Sequence, residues 1–276
     1  MKITIVGHKG QLGEALQGAL AGHALQGLDL PEVDITRYPA CAEPILGFAP
    51  DVVLHIAAMT NVDGCETDPD QAFRVNALGT RNVALACQAL DVPMLYVSTD
   101  YVFRGDEGSP RYEYDLPNPQ SAYARSKLAG EQIVRDLLRK HYITRTAWLY
   151  DGTHRNFVTT MRRLATERPS LKVVTNEVGS PTYAKDLAEA IAKLIRRPAY
   201  GIYHFANTGV CSRFEFTKAI LELSGLADYP VEPVDHYPRP AKVPARVELK
   251  NVMGAALGIA FRPWREALEE CLSSVH

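Results

Sequence analysis

The chain has 276 residues, of which 46% are hydrophobic and 22% are charged, and its formal net charge is −2 at pH 7. This length fits one large or two small domains, and the composition and charge exclude a disordered chain, a collagen and a partnership with nucleic acid. Five scattered cysteines without a CxxC pair, and the lack of any apolar run near ~18 residues, predict a cytoplasmic protein with reduced thiols and no membrane partner.

The first half of the chain alternates predicted strands and helices. Short, largely apolar runs predict strands over 2–6, which is β-branched, and over 24–28, 52–56, 94–98 and 143–147. Apolar residues at helical spacing predict helices over 11–20, 40–48, 69–90 and 122–139. Apolar strands separated by helices are typical of a parallel sheet that is covered on both faces. The predicted fold class is therefore α/β, a Rossmann-type doubly wound parallel sheet, with residues 1–150 forming an NAD(P)-binding domain.

The second half of the chain is less regular. Helices are predicted over 156–167, 184–196, 213–224 and 264–272, and short strands over 172–175 and 201–205. Five prolines between positions 230 and 244 favour an ordered loop without regular structure. Residues 151–276 are predicted to form mostly a smaller C-terminal substrate-binding lobe, with segments near 184–206 returning to the first domain.

A glycine-rich turn follows the first predicted strand, with Gly7, Gly10 and Gly13 in the spacing GxxGxxG. Such glycines let the backbone turn tightly and approach a pyrophosphate at a helix N-terminus, although a purely structural turn has the same composition. Asp29 ends the second strand, where an acid binds the adenosine ribose and disfavours a 2′-phosphate. Lys9 favours the opposite choice, so the cofactor stays open between NADPH and NADH.

A tyrosine and a lysine lie one helical turn apart at Tyr123 and Lys127. An ammonium group beside a phenol lowers the tyrosine pKa, and the phenol then serves as a proton donor to a carbonyl that receives hydride. The alternative is an ordinary surface pair. Thr99 follows the fourth strand, at the sheet edge where ligands bind, and could donate a hydrogen bond to the same carbonyl oxygen.

These three signals together resemble the extended short-chain dehydrogenase/reductases. Further segments are similar to one branch of that family, the dTDP-4-dehydrorhamnose reductases: AAMTNVD at 57–63, STDYVF at 98–103, RTAWLY at 145–150 and GSPTYAKDLA at 179–188. The resemblance runs from residue 1 to about residue 210. It implies hydride transfer from NADPH or NADH to C4 of dTDP-6-deoxy-L-lyxo-4-hexulose, giving dTDP-L-rhamnose.

The resemblance also implies roles for individual residues. Together with the glycine loop, it predicts cofactor contacts at Gly7, Gly10, Gln11, Leu12, Asp29, Asp34, Ile35, Ala57, Ala58, Met59, Thr60, Tyr123 and Lys127. Thr99, Tyr123 and Lys127 are the predicted catalytic residues, and Thr99, Asp100, Trp148 and Arg239 are predicted to contact the substrate. Core packing is the alternative for Trp148, and a solvated loop position is the alternative for Arg239.

The C-terminal segment departs from the family pattern. Val243 replaces the second arginine of a repeated Arg-Pro motif, and residues 247–250 lack the expected small polar side chains. The 4-ketoreduction of another nucleotide sugar therefore stays open. A non-catalytic role also stays open, because the NADP-binding regulatory subunit of methionine adenosyltransferase is similar to these reductases. The intact Thr-Tyr-Lys set opposes that role.

A homodimer is compatible with the resemblance. No metal site is predicted, because Glu14 and Lys185-Asp186 do not supply the glutamates with which some relatives bind magnesium.

Overall fold

Strands and helices alternate along the described residues, which are 1–106, 108 and 110–274 of this computed structural model. The strands are β1 (Lys2–Val6), β2 (Ala24–Leu28), β3 (Val52–His55), β4 (Met94–Thr99), β5 (His141–Thr146), β6 (Leu149–Tyr150), β7 (Leu171–Val174), β8 (Val178–Gly179), β9 (Thr182–Tyr183), β10 (Gly201–His204), β11 (Cys211–Ser212) and β12 (Val231–Val234). The helices are α1 (Gln11–Ala19), α2 (Tyr38–Phe48), α3 (Val62–Thr67), α4 (Pro69–Phe73), α5 (Thr80–Leu90), α6 (Ala122–Leu137), α7 (Phe157–Glu167), α8 (Ala184–Leu194), α9 (Arg213–Leu223), α10 (Met253–Ala256) and α11 (Trp264–Ser273).

The central sheet has six parallel strands in the order β10-β5-β4-β3-β1-β2. Parallel pairing confirms the predicted Rossmann-type α/β fold, since each crossover between neighbours uses a helix. The strand order reverses at β1: β2 lies on one side of it, and β3, β4 and β5 follow one another on the other side. Ligands bind in the crevice that such a switch opens at the carboxyl ends of the strands. The end of β1 lies at this crevice.

Two apolar layers cover the sheet. On one face, α1 and α8 pack against side chains such as Ile3, Ile5 and Leu54. On the other, α2, α5 and α6 pack against Val53 and Tyr96. Buried strands with both faces covered explain the continuous apolar runs in the sequence. The five cysteines are free and buried within these layers and the C-terminal lobe.

Residues beyond β5 contribute both to the central sheet domain and to a separate C-terminal lobe. α8 packs on α1, and β10 extends the sheet beside β5. The remaining part forms a lobe in which α7, α9 and α11 enclose an aromatic cluster that includes Tyr150 and Phe216. The two parts meet over the carboxyl ends of the sheet. No helix in the described ranges is long and apolar enough to cross a membrane.

Two predicted elements differ from the structure. The single helix predicted over 69–90 is divided, because a π-helical turn at Arg74–Gly79 separates α4 from α5. The proline-rich stretch predicted as a loop contains β12, which pairs in parallel with β7. Pro233 is tolerated there because the pair has only two strands and each is an edge, where one missing N–H costs little.

Candidate active site

A cavity of about 810 Å³ opens at the carboxyl ends of the central strands. This volume suits a large ligand such as a dinucleotide. Most residues predicted for the site line it: Gly7, Gly10, Gln11, Leu12, Asp29, Asp34, Ile35, Ala57, Ala58, Thr60, Thr99, Asp100, Tyr123, Lys127 and Trp148. Met59 and Arg239 are not among its lining residues. The fold therefore gathers side chains from distant parts of the sequence into one crevice.

The glycine loop between β1 and α1 leaves backbone room that a dinucleotide needs. Gly7 has a φ of +99°, and a Cβ there would lie 2.7 Å from the backbone nitrogen of Ala57. A Cβ on Gly13 would lie 2.5 Å from the carbonyl oxygen of Gly7. Gly10 begins α1 without a side-chain cap, so the first N–H groups of the helix face the cavity unscreened. This geometry fits the pyrophosphate of a nicotinamide dinucleotide.

Asp29 lies in the cavity directly after β2. Its carboxylate accepts hydrogen bonds from the backbone N–H of Lys9 at 3.0 Å and of Leu30 at 2.9 Å. The Lys9 ammonium does not lie free beside it, because it donates to Glu32 at 2.6 Å and to the Leu30 carbonyl at 2.8 Å. The two opposing signals in the sequence are thus unequal in the fold: the acid is oriented, and the lysine is engaged.

Tyr123 enters the cavity from the first turn of α6. Ser121 caps that helix by accepting from the backbone N–H of Ala124 at 3.3 Å. Burial raises the pKa of Tyr123, and a hydrogen bond with Thr99 offsets only part of that effect. The net pKa is therefore raised, whereas the spacing to Lys127 predicts a lowered pKa; the prediction is wrong for the net shift because desolvation of the phenolate dominates. The phenol therefore keeps its proton at neutral pH.

Asp100 directly follows Thr99, the last residue of β4. Thr99 donates from Oγ1 to the Asp100 carboxylate at 3.1 Å and accepts from the backbone N–H of Tyr101 at 3.2 Å. Burial raises the pKa of Asp100 to about 7, although the Thr99 bond and the Arg213 charge oppose it. Thr99 and Asp100 thus form a hydrogen-bonded pair at the end of β4, and both line the cavity with Tyr123.

Lys127 lies below Tyr123 on the buried face of α6. Its Nζ is 4.1 Å from the centre of the Tyr96 ring, a cation–π contact, and the Tyr96 hydroxyl donates to the Lys127 carbonyl at 3.3 Å. Burial lowers the pKa of Lys127 to about 7, whereas the Glu131 carboxylate raises it. Glu131 is itself paired with Arg145 through two bonds of 2.9 and 2.8 Å.

Asn76 joins the cofactor side of the cavity to α6, although it is not among the site residues predicted from the sequence. Its Oδ1 accepts from the Met59 backbone N–H at 2.8 Å, and its Nδ2 donates to the Met59 carbonyl at 3.1 Å and to Ser126 Oγ at 3.0 Å. Ser126 in turn donates to the Tyr123 carbonyl at 2.8 Å. Met59 therefore contributes its backbone to this link. Asn76 lies in the π-helical turn at Arg74–Gly79, and such turns are frequent at functional sites. The apolar periodicity of the sequence does not reveal this turn.

Trp148 both packs in the core and lines the cavity, so the two alternatives for it coexist. Its φ of +45° is unusual for a large side chain and is typical of a constrained functional position. Its indole ring packs on the backbone at Gly179, where a Cβ would lie 2.7 Å away. Arg239, by contrast, donates to both carboxylate oxygens of Asp63 at 3.1 and 3.3 Å, outside the cavity lining.

Comparison with known proteins agrees with this geometry. The family model described as RmlD substrate binding domain matches residues 1–276. The dTDP-4-dehydrorhamnose reductase of Mycobacterium tuberculosis is 42% identical, over 99% of this chain and 93% of that protein. The crystal structure of the Clostridium acetobutylicum dTDP-4-dehydrorhamnose reductase has a TM-score of 0.96 and 40% identity, over 100% and 99% of the two chains. The Bacillus anthracis enzyme in complex with NADP has a TM-score of 0.94 and 39% identity, over 99% and 98%.

Proposed function

The chain belongs to the RmlD substrate binding domain family, and from that premise we propose that it is a dTDP-4-dehydrorhamnose reductase. It catalyses the NAD(P)H-dependent reduction of the 4-keto group of dTDP-6-deoxy-L-lyxo-4-hexulose to dTDP-L-rhamnose. The observation that carries this proposal is that Tyr123, Lys127 and the hydrogen-bonded pair of Thr99 and Asp100 line one cavity with a dinucleotide-binding glycine loop.

The residues around the glycine loop hold the cofactor. Backbone N–H groups at the start of α1 face its pyrophosphate, and Asp29 accepts from the adenosine ribose. Asp34 and Ile35 line the adenine end, where Asn82 fixes the loop by donating to the Ile35 carbonyl at 2.9 Å. The nicotinamide supplies the hydride when bound.

The residues at the end of β4 handle the proton. Tyr123 donates its phenolic proton to the 4-keto oxygen as that atom gains negative charge, and its raised pKa keeps the donor protonated. Thr99 donates its single hydroxyl proton to Asp100 in this structure, and it turns that proton to the same keto oxygen when the substrate binds. Lys127 lines the same cavity one helical turn from Tyr123, and in its charged form it stabilises the developing phenolate.

The proposal is tested by following NADH and NADPH oxidation at 340 nm with the 4-keto-sugar nucleotide, made in situ from dTDP-glucose by the two preceding enzymes. Wild-type protein should oxidise cofactor and form dTDP-L-rhamnose. Tyr123→Phe should lower kcat by about 10²–10⁴-fold while cofactor binding is kept. Tyr114→Phe, at an exposed tyrosine, is the matched control.

Each outcome of this experiment has a distinct meaning. Full activity of Tyr123→Phe would refute the catalytic assignment. Oxidation with a different nucleotide sugar, and none with the dTDP compound, would instead favour the related 4-ketoreductase. Cofactor binding without any reductase activity would favour the non-catalytic regulatory role.

We further propose a cytoplasmic location, on the support of the five free, buried thiols, and a homodimer, which light scattering of the purified chain tests. A metal-free enzyme is also expected, and it should keep its activity in EDTA. Among the residues that the structure describes, no cluster of three His, Cys, Asp or Glu side chains is arranged to hold a metal ion.

A further inference from the structure

Arg213 is a cation of the cavity that lies outside the predicted site. It is the first residue of α9 and lines the same cavity as Asp100, Tyr123 and Trp148. Its guanidinium carbon lies 3.5 Å from the centre of the Trp148 ring and 4.7 Å from that of Phe157. Two aromatic faces thus hold a flat cation in a defined orientation.

Within the part of the chain that the structure describes, the half-buried Arg213 guanidinium makes a long ion pair and no short side-chain hydrogen bond. Its side chain is only 15% exposed, yet its Nε lies 3.5 Å from Glu177 Oε2, an ion pair that is too long for a good hydrogen bond. Its stacking contacts use the faces of the ring systems and leave the N–H groups at the guanidinium edge available. These N–H groups are therefore available to an oxygen-rich anion in the cavity, which a guanidinium fork binds through charge-assisted hydrogen bonds.

Arg239 provides a contrast within the same cluster. Its Nη1 lies 3.7 Å from Glu177 Oε1, so both arginines share that one carboxylate. Arg239 also donates to both oxygens of Asp63, which occupies its fork. Of the two guanidinium groups, Arg213 is the one that faces the cavity with donors to offer.

We propose that Arg213 binds the diphosphate of the nucleotide-sugar substrate, with its guanidinium held flat against Trp148. This inference rests on the proposed function, which requires a sugar diphosphate in this cavity. The fork of an arginine matches two phosphate oxygens, and stacking reduces the entropy lost on binding. The cofactor pyrophosphate is bound elsewhere, at the glycine loop and the start of α1.

The test compares wild type with Arg213→Gln, Arg213→Lys and a control, Arg163→Gln, at an exposed arginine on α7. Calorimetric titration of dTDP into the NADH-bound protein measures nucleoside diphosphate binding without the hexose of the substrate. Arg213→Gln should raise the Kd of dTDP by about ten- to hundredfold, and Arg213→Lys by a smaller factor. The control should match wild type. The NADH Kd should stay within about twofold in all variants, and circular dichroism should show equal thermal midpoints.

The outcomes separate this inference from the proposed function. Wild-type turnover with an unchanged dTDP Kd in Arg213→Gln overturns the inference alone. A raised NADH Kd with an unchanged dTDP Kd also overturns it, because Arg213 would then serve the cofactor. A higher KM for the sugar nucleotide with an unchanged dTDP Kd assigns Arg213 to the sugar and overturns the diphosphate contact. If wild type neither binds dTDP nor reduces the sugar nucleotide, the proposed function fails and the inference fails with it.

Discussion

The buried ion pair between Glu131 and Arg145 supports the site from below, and we expect its removal to be the most destabilising single change near the cavity. Both side chains are 2% exposed and are joined by two hydrogen bonds. Phe103 lies 5.1 Å from the guanidinium carbon, and burial keeps His204, 3.4 Å away, neutral. Among the residues that the structure describes, Glu131 is the acid that pairs with Arg145, so Glu131→Gln leaves the arginine charge buried without that partner.

The expected cost is about 3–5 kcal/mol, because removing one partner of a buried pair strands the other charge. For a chain of this size that loss corresponds to a fall in Tm of about 6–20 °C. The exposed pair of Glu222 and Arg265 is the control, where Glu222→Gln should cost less than about 1 kcal/mol. Replacing both buried partners, as Glu131→Leu with Arg145→Met, should recover most of the loss. Thermal and urea denaturation measure these differences. A change in Tm under 2 °C for Glu131→Gln would refute the reasoning.

The same variant tests the electrostatics of Lys127. Burial lowers the pKa of Lys127 to about 7, and the Glu131 carboxylate raises it. The lysine is charged below this pKa and loses its proton as the pH rises through it. If the ammonium form assists Tyr123, kcat/KM should fall above about pH 7. Glu131→Gln removes a charge that raises the pKa, so the fall should begin at lower pH. A profile that does not move would contradict this role of Glu131.

Two further predictions concern the cofactor. Gly13→Ala should weaken NADH binding by at least about tenfold, because a Cβ at 2.5 Å from the Gly7 carbonyl oxygen forces the loop and α1 apart. Gly18→Ala on the same helix is the control, since a Cβ there meets nothing within 4 Å, and it should leave NADH binding unchanged. Cofactor fluorescence measures both dissociation constants. Asp29→Ala should lower kcat/KM for NADH by about ten- to hundredfold and lower it less for NADPH. Glu32→Gln removes the carboxylate that pairs with the Lys9 ammonium, and it should raise the NADPH:NADH ratio of kcat/KM by about two- to fivefold. An unchanged ratio in both variants would mean that this corner does not select the cofactor.

Much of the fold could be predicted because its causes are local. The strands at 2–6 and 24–28 have the predicted bounds, since each is a short run that stops at a glycine or an acidic residue. Tyr123 and Lys127 share a helix face by spacing alone. The helix predicted over 69–90 was wrong in its interior, because the π-helical turn at Arg74–Gly79 does not change the apolar pattern enough to be seen.

The amino-acid sequence by itself determined where the strands of the central sheet lie along the chain, the glycine turn and the tyrosine–lysine pair, because each depends on residues within one or two helical turns. Only the tertiary structure decided which distant groups meet. Asn76 reaches Met59 and Ser126, and Arg213 stacks on Trp148, through contacts between segments far apart in the chain. The pKa values of Tyr123 and Lys127 also belong to the fold, because desolvation depends on what surrounds a group rather than on its neighbours in sequence.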